Sequence, residues 1–189
     1  SGRFDVPKVF TMLYLGRFRK FVEGYQILKA LGELKQRGFD GTQVQLIVTG
    51  HVWVDTKALA EDLDIEDMLV DHPFVAYTQI GSLIKTMDLL ITLSSQSNQR
   101  IPSKFFDYAV SERPIISISD NKEIGQICKT HSIDGMYNCP LNDINGIADA
   151  MEKEIGRGRR RTISRRAHGL DSATASAKLA TILNEISAK

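Results

Sequence analysis

The stretch VPKVFTMLYLG, residues 6–16, decides the fold class, because it is an apolar-rich run that stops at a glycine. Apolar residues then recur at spacings of three and four from Phe21 to Leu31, which is typical of an amphipathic helix. VQLIVTG, residues 44–50, is almost continuously apolar, as in a strand covered on both faces. These segments predict a strand, a helix and a second strand in succession.

The alternation continues to about residue 155. Further strand-forming residues occur at 69–70 with 74–76, at 88–94 and at 113–119. Helical patterns begin near Asp55, Thr78, Pro102, Asn121 and Asn142. Strands that alternate with helices predict a parallel sheet between two helical layers.

We therefore predict a doubly wound, Rossmann-like α/β fold, with three α/β/α layers in a single domain at residues 1–155. Residues 156–170 are rich in arginine and are predicted to form a linker, and residues 171–189 are predicted to form a C-terminal docking helix. The arginines either lie in an exposed turn or contact an anionic membrane, since polybasic clusters gain about 1 kcal/mol per residue near anionic lipid.

Composition restricts the classes of function. The 189 residues include 24 Lys and Arg against 23 Asp and Glu, so any site for an anion has to be local. Two cysteines fit a reducing, cytoplasmic compartment, and no run approaches the roughly 20 apolar residues of a membrane span. The four histidines show no metal-ligand spacing, and we predict no metal. Because the chain begins Ser-Gly rather than with Met, we expect a piece of a longer protein.

The first candidate loop is GRFRK, residues 16–20, after the first strand. In an open parallel sheet, ligands bind beyond the carboxyl ends of the strands. Gly16 allows a close backbone approach, and Arg17 and Lys20 bring cations to the start of a helix, where they oppose the helix dipole unless an anion is present. The loop is either an anion site or a solvated basic turn.

The second candidate loop is SSQSNQRIPSK, residues 94–104. Free amides near Ser103, together with the Lys104 ammonium, offer a phosphate cradle that needs no metal. Asp107 lies one turn further on the same helix face and can accept two hydroxyl hydrogen bonds, as from a ribose. The alternative is an ordinary capped helix in which Lys104 and Asp107 form an ion pair.

Taken together, LYLGRF, VQLIVTG, PFVAY, DLLITLS and IPSKFFDYAVSERPIIS resemble the C-terminal, donor-binding domain of GT-B glycosyltransferases. The nearest branch builds capsule, O-antigen and related bacterial surface polysaccharides. The resemblance runs from about Lys8 to Ile155, and its most specific part is PSKFFDYAVSERPII.

The resemblance implies a role for each matching position. Arg17, Lys20, Ser103 and Lys104 would contact the diphosphate of a nucleotide sugar, Asp107 would hold the ribose, and the backbone of Ala76 and Tyr77 would flank the base. Many relatives have Glu, seven residues and Glu across the sugar loop, where this chain has Gln99 and Asp107. These departures predict donor binding that is weakened, displaced or lost.

The function implied is transfer of a sugar to a glycan or lipid-linked acceptor, with a UDP- or GDP-sugar as substrate and no cofactor. This chain would be the donor-binding half, inactive without an N-terminal acceptor domain, and would lie in the cytoplasm or peripherally at the inner face of the membrane. Two alternatives remain open: a non-catalytic scaffold derived from such an enzyme, and a nucleotide-sugar epimerase of the same architecture. Nucleic-acid binding is not expected, because no aromatic residues are interleaved with the arginines.

Overall fold

The computed structural model describes residues 8–17, 24–52, 54–94, 103–109, 111–131 and 134–163. Within these residues, six strands alternate with six α-helices. The strands are β1 (Phe10–Arg17), β2 (Val44–His51), β3 (Leu69–His72), β4 (Leu89–Leu93), β5 (Ile115–Ile118) and β6 (Met136–Cys139). The helices are α1 (Tyr25–Gln36), α2 (Val54–Asp62), α3 (Tyr77–Thr86), α4 (Ser103–Ala109), α5 (Lys122–His131) and α6 (Ile144–Arg157). A short 3-10 helix, Glu66–Met68, precedes β3.

The described strands form one sheet in the order β3-β2-β1-β4-β5-β6, and all neighbouring strands are parallel. One core lies between the sheet and the α1, α2 and α6 side, and the other between the sheet and the α3, α4 and α5 side. The predicted doubly wound, three-layer α/β/α fold is thereby confirmed. Burial on both faces explains the continuous apolar runs of the inner strands, such as the fully buried Ile115–Ile118.

Sequence analysis missed β6. Its sequence, Met-Tyr-Asn-Cys, has neither an apolar run nor strict alternation, and Tyr137 and Asn138 are only partly buried. Among the described strands it lies at the edge of the sheet and pairs with β5 alone, so it needs less apolar surface than the inner strands.

Four predicted boundaries also differ. β3 ends at His72, and Phe74 in the predicted strand-forming run 74–76 is exposed in a loop. α2 and α3 each begin one residue before the expected caps, Asp55 and Thr78. The cap of α6 is Asp143 rather than Asn142, because the Asp143 carboxylate accepts the Gly146 N–H. Asn121 does cap α5, since its side-chain oxygen accepts the N–H of Glu123 and of Ile124.

A buried carboxylate ties the amino ends of the central strands to the end of the described chain. Asp88, just before β4, accepts the backbone N–H of Thr11 at 2.8 Å and its hydroxyl at 3.0 Å. It also accepts the Arg160 N–H at 2.6 Å and the Arg159 guanidinium at 3.3 Å. The Asp88 side chain is fully buried, so these four donors replace the water that folding removes.

Glu154 of α6 is a second buried carboxylate that depends on arginines. It accepts the Tyr137 hydroxyl at 2.6 Å, Arg157 at 2.8 Å and Arg161 at 2.9 Å. Both arginines also pair with Asp134, each at 2.6 Å. These guanidinium groups therefore serve internal contacts, whereas Arg165 and Arg166 lie outside the described residues.

The first part of the predicted linker packs against the domain. α6 continues to Arg157, and Ile163 is buried in the core beside α3, α4 and α5. Gly135 makes room for it, because a Cβ there would come within 2.2 Å of the Ile163 Cδ1. The rest of the predicted linker and the predicted docking helix lie outside the described residues. None of the described helices combines the length and hydrophobicity needed to cross a bilayer.

We expect Asp88→Asn to lower the free energy of unfolding by about 3 kcal/mol, because it discharges one partner of a buried ion pair and sets an amide N–H₂ against existing donors. Asp62→Asn, at the exposed end of α2, is the matched control, with an expected change within about 0.5 kcal/mol. Urea unfolding followed by circular dichroism measures both. Equal midpoints for the two variants would contradict the role given to Asp88.

Candidate functional site

A crevice opens at the carboxyl edge of the sheet where β1 and β4 part. β1 pairs with β2 along its whole length, Phe10–Arg17, but pairs with β4 only over Met12–Tyr14. The winding of the chain also reverses here, because α1 packs on one face of the sheet and α4 on the other. Such switch points are where open α/β sheets bind ligands.

Contacts with α4 hold the two strands apart at Leu15. Odd-numbered residues of β1 direct their backbone groups toward β4, as the hydrogen bond from the Asp88 N–H to the Thr11 carbonyl at 2.9 Å indicates. At Leu15 these groups meet α4 instead. The Leu15 N–H donates to the Tyr108 hydroxyl at 3.2 Å, and the Leu15 carbonyl accepts the Lys104 ammonium.

Lys104 and Tyr108 reach Leu15 together because they lie four residues apart, on the same face of α4. Tyr108 is almost fully buried, and burial raises the pKa of its hydroxyl well above the usual range. Burial also lowers the pKa of the Lys104 ammonium, and the nearby Asp107 carboxylate opposes that shift. The Lys104 side chain is exposed, and its ammonium is held against the Leu15 carbonyl at the entrance of the crevice.

Gly16 and Arg17 end β1 beside this lysine. A Cβ on Gly16 would lie 3.2 Å from the Tyr14 ring, so that ring leaves little room for a side chain at this position. The Tyr14 ring thus covers one side of Gly16, and the role of the Gly16 backbone in ligand binding stays a prediction. The position of Arg17 is fixed by its pairing with His51 of β2.

The structure brings together two of the predicted segments. Ser103 and Lys104 begin α4, and the bond from Lys104 to Leu15 places them beside Gly16 and Arg17. Asp107 is exposed one turn later. The Lys104 ammonium bonds the Leu15 carbonyl, and no ion pair within 4.0 Å joins it to Asp107 among the described residues, although the Asp107 carboxylate is near enough to act on it.

Ala76 and Tyr77 lie in another part of the sheet. Ala76 precedes α3 and Tyr77 begins it, with a side chain that is 86% exposed. Both follow β3, two strands away from β1 in the sheet. Lys20 and Gln99 lie outside the described residues. No group of three or more His, Cys, Asp or Glu suited to a metal occurs in the described ranges.

Sequence analysis missed Tyr108 and a row of polar groups beneath α4 and α5. The four-residue spacing from Lys104 was the signal that could have identified Tyr108. Thr92, Ser117 and Asn138 occupy the same register on β4, β5 and β6. Their side-chain oxygens are buried without a hydrogen-bond partner among the described residues. Nothing in their separate sequence positions shows that they form one row.

The fold is shared with solved GT-B glycosyltransferases. S. aureus TarM, in a complex that includes UDP, has a TM-score of 0.61 at 13% identity over 80% of this chain and 30% of its own. WaaB, a lipopolysaccharide outer core galactosyltransferase, has a TM-score of 0.57 at 15% identity over 79% and 41%. Sucrose-phosphate synthase from Thermosynechococcus elongatus has a TM-score of 0.64 at 13% identity over 97% and 47%.

Sequence comparison alone identifies no family. No protein-family model matches the chain, and no curated protein is significantly similar to it in sequence. The chain spans less than half the length of TarM, WaaB and sucrose-phosphate synthase. The likeness therefore establishes a GT-B-type Rossmann fold for the domain and nothing finer.

We expect Tyr108→Phe to lower the free energy of unfolding by about 1–3 kcal/mol, because the buried Leu15 N–H loses its acceptor. Tyr25→Phe on α1 is the control, since the Tyr25 hydroxyl has no partner within the described residues. Urea unfolding measures the stability, and hydrogen exchange of the Leu15 amide measures the local effect. Unchanged Leu15 exchange in Tyr108→Phe would contradict the proposed contact.

We expect the Lys104 ammonium to titrate below the ordinary lysine pKa of about 10.4, because burial disfavours its charged form. Below the pKa of Lys104 in the folded protein, the charge of its ammonium lowers the stability of the fold. This destabilisation is lost once the pH exceeds the pKa of Lys104 in the unfolded chain. Asp107→Asn should lower the pKa further, whereas Asp62→Asn should leave it unchanged. A carbon-13 NMR titration of the lysine side chains tests this, and titration at or above the ordinary value would contradict it.

Proposed function

We propose that this domain binds the nucleotide-sugar donor of a glycosyltransferase that transfers a hexose to a glycan or lipid-linked acceptor. The donor would be a UDP- or GDP-sugar, and the pathway the synthesis of bacterial capsule, O-antigen or exopolysaccharide. Support comes from the GT-B-type fold, from UDP in the TarM complex and from the lipopolysaccharide activity named for WaaB. We place the reaction in the cytoplasm or at the inner face of the membrane.

The observation that carries the proposal is the Lys104 ammonium at the point where β1 and β4 part. A lysine that has lost part of its hydration gains from a nearby anion, because the anion restores the favourable interactions that water supplied. We expect the adjacent Gly16, which has no side chain, to let a diphosphate approach its backbone. Polyphosphate is the ligand chemistry that suits this combination.

In the proposed mechanism, the protein stabilises the negative charge that grows on the departing nucleoside diphosphate. Lys104, Arg17 and Lys20 supply positive charge, and the amides at the start of α4 near Ser103 add oriented dipoles. Asp107 would accept hydrogen bonds from the ribose diol, and the backbone of Ala76 and Tyr77 would flank the base. Gln99 would lie in the sugar loop where many relatives have a charged Glu.

Turnover would require a second domain. This chain corresponds to 30–47% of the length of the three solved neighbours, which leaves room in those proteins for an acceptor site. We expect the domain studied alone to bind the donor without transferring the sugar. Any base that activates the acceptor would belong to the partner domain.

Titration with UDP and GDP tests the proposal directly. Loss of one charge-assisted hydrogen bond costs about 1.5–3 kcal/mol, so Lys104→Met should weaken nucleotide binding by roughly 10- to 100-fold. Lys85→Met, in the last turn of α3 at the opposite edge of the sheet, makes the same chemical change away from the crevice and should retain affinity. Calorimetry gives both dissociation constants.

The same titration separates the alternatives. If Lys104→Met binds UDP or GDP as tightly as the parent protein does, the crevice is rejected as the diphosphate site. If neither this domain nor the full-length protein binds UDP or GDP, the scaffold is favoured. The Gln99 and Asp107 departures also favour it. Conversion of a nucleotide sugar by the full-length protein without any acceptor would favour the epimerase.

A further inference from the structure

β3 lies at one edge of the sheet and pairs with β2 alone among the described strands. The Gln43 carbonyl accepts the Phe10 N–H at 2.9 Å, so the odd-numbered residues of this segment face β1 and the even-numbered residues of β2 face β3. The β3 residues in register with those even-numbered residues are Leu69 and Asp71. In a parallel pair, such residues direct their own backbone groups outward.

Three outward backbone groups have no hydrogen bond to any residue that the structure describes. They are the Leu69 carbonyl and the N–H and C=O of Asp71. The Leu69 N–H, in contrast, donates to the Glu66 carbonyl and closes the 3-10 helix before β3. An extended segment beside β3 would satisfy the three remaining groups as a sheet ladder does.

A groove of about 290 Å³ lies beside this edge, between α2 and β3. Its floor is apolar, because Val52 and Ala60 are buried there and Leu69 is partly buried. The groove therefore offers a surface on which the carbon chain of a long side chain can lie.

Two carboxylates of the groove are uncompensated. Three carboxylates and one ammonium line it, which gives a net charge of −2. The ammonium of Lys57 pairs with Asp71 at 3.6 Å. Glu61 and Glu66 are exposed, and no hydrogen bond or ion pair joins their carboxylates to any described residue. Lys35, the cation of α1 in this region, pairs with two other carboxylates.

This negative charge is concentrated near the start of β3. The Ala60 carbonyl accepts the Ile65 N–H at 3.0 Å, so the end of α2 lies close to the chain that enters β3. Glu61 belongs to this end of α2, and Glu66 begins the 3-10 helix directly before β3. The ion pair within the groove occupies the opposite end, near the end of the strand.

From this pattern we propose that the β3 edge, with the groove beside it, is a docking site for an extended segment of another protein that carries a basic residue. The segment would form an outer strand through the backbone groups of Leu69 and Asp71. Its lysine or arginine would lay the aliphatic stem on the apolar floor and bring its charge to Glu61 and Glu66. The same carboxylates would repel acidic segments, as charged residues at sheet edges prevent unselective pairing.

A second copy of this chain fits the site less well. Its own β3, Leu-Val-Asp-His, carries a carboxylate and neither lysine nor arginine, so pairing of two β3 edges would add negative charge. The site lies near the start of β3 on the α2 side, whereas the crevice opens at the carboxyl edge between β1 and β4. Docking at this edge is therefore independent of the proposed function.

The probe is a capped seven-residue peptide of alternating threonine and valine with a central arginine. It reads the same in both directions, so either strand direction brings the arginine to the groove. We expect it to slow hydrogen exchange at the outward Asp71 amide. The Val70 and His72 amides, which face β2, serve as internal references. Methylating alternate backbone nitrogens of the peptide should abolish binding.

The charge is tested on both partners. Replacing the arginine of the peptide by citrulline, which has a similar shape and no charge, should weaken binding by roughly two- to tenfold. Glu61→Gln with Glu66→Gln should weaken binding of the arginine peptide to the same extent and leave binding of the citrulline peptide unchanged. Glu123→Gln, in the first turn of α5 on the other side of the sheet, is the matched control and should have no effect.

Two substitutions at one position test the strand pairing. Asp71→Pro and Asp71→Ala both remove the carboxylate that pairs with Lys57, but only proline also deletes the outward N–H. Asp71→Pro should therefore bind the arginine peptide roughly two- to tenfold more weakly than Asp71→Ala in an NMR titration. Circular dichroism checks that both variants are folded, and the methylated peptide provides the same test if Asp71→Pro is not.

Four outcomes would overturn the proposal. One is exchange at Asp71 that the arginine peptide does not alter at millimolar concentration. Another is binding that survives methylation of the peptide backbone. The third is equal affinity for the arginine and citrulline peptides. The fourth is concentration-dependent dimerisation that Asp71→Pro abolishes and Asp71→Ala retains, which would assign the edge to a second copy.

Discussion

β1 and β4 are held together at one end and apart at the other, and the architecture of the candidate site depends on that opposition. At the amino end, Asp88 bonds Thr11 and fixes the pairing of the two strands. At the carboxyl end, Lys104 and Tyr108 occupy the backbone groups of Leu15 that would otherwise continue the ladder. At Leu15 both displaced backbone groups find other partners, so the crevice leaves neither of them unsatisfied.

Charge in this domain is used locally rather than globally. The net charge of +1 conceals two buried carboxylates, Asp88 and Glu154, whose arginine partners follow one another closely in sequence. Removing a charge from water is costly unless it is paired and hydrogen-bonded. Much of the arginine cluster that stands out in the sequence is thus engaged in stabilising the fold, whereas the positive charge that the described side chains bring to the crevice is that of Lys104 on α4.

The sequence predicted most of the fold because burial on both faces of a parallel sheet leaves long apolar runs, as in Val44–His51. It failed at Met136–Cys139, where an edge strand needs few apolar side chains. The rule that ligands bind beyond the carboxyl ends of parallel strands led us to expect the residues after β1 and those at the start of α4 in one crevice. It did not identify the contacts of Leu15, because backbone groups leave no trace in a sequence. It also did not identify the pairing of Arg157 and Arg161 with Glu154, since Glu154 is recognisable as buried only in three dimensions.

The position of Arg159 and Arg160 has a practical consequence for dividing this protein into fragments. A fragment that stopped at Ile155, where the helical pattern fades, would keep every strand of the sheet. It would nevertheless remove two hydrogen-bond donors from the Asp88 carboxylate. It would also remove Ile163 from the core beside α3, α4 and α5. A fragment that keeps these contacts therefore has to reach at least residue 163, even though the added residues contribute no strand and only the last two residues of α6.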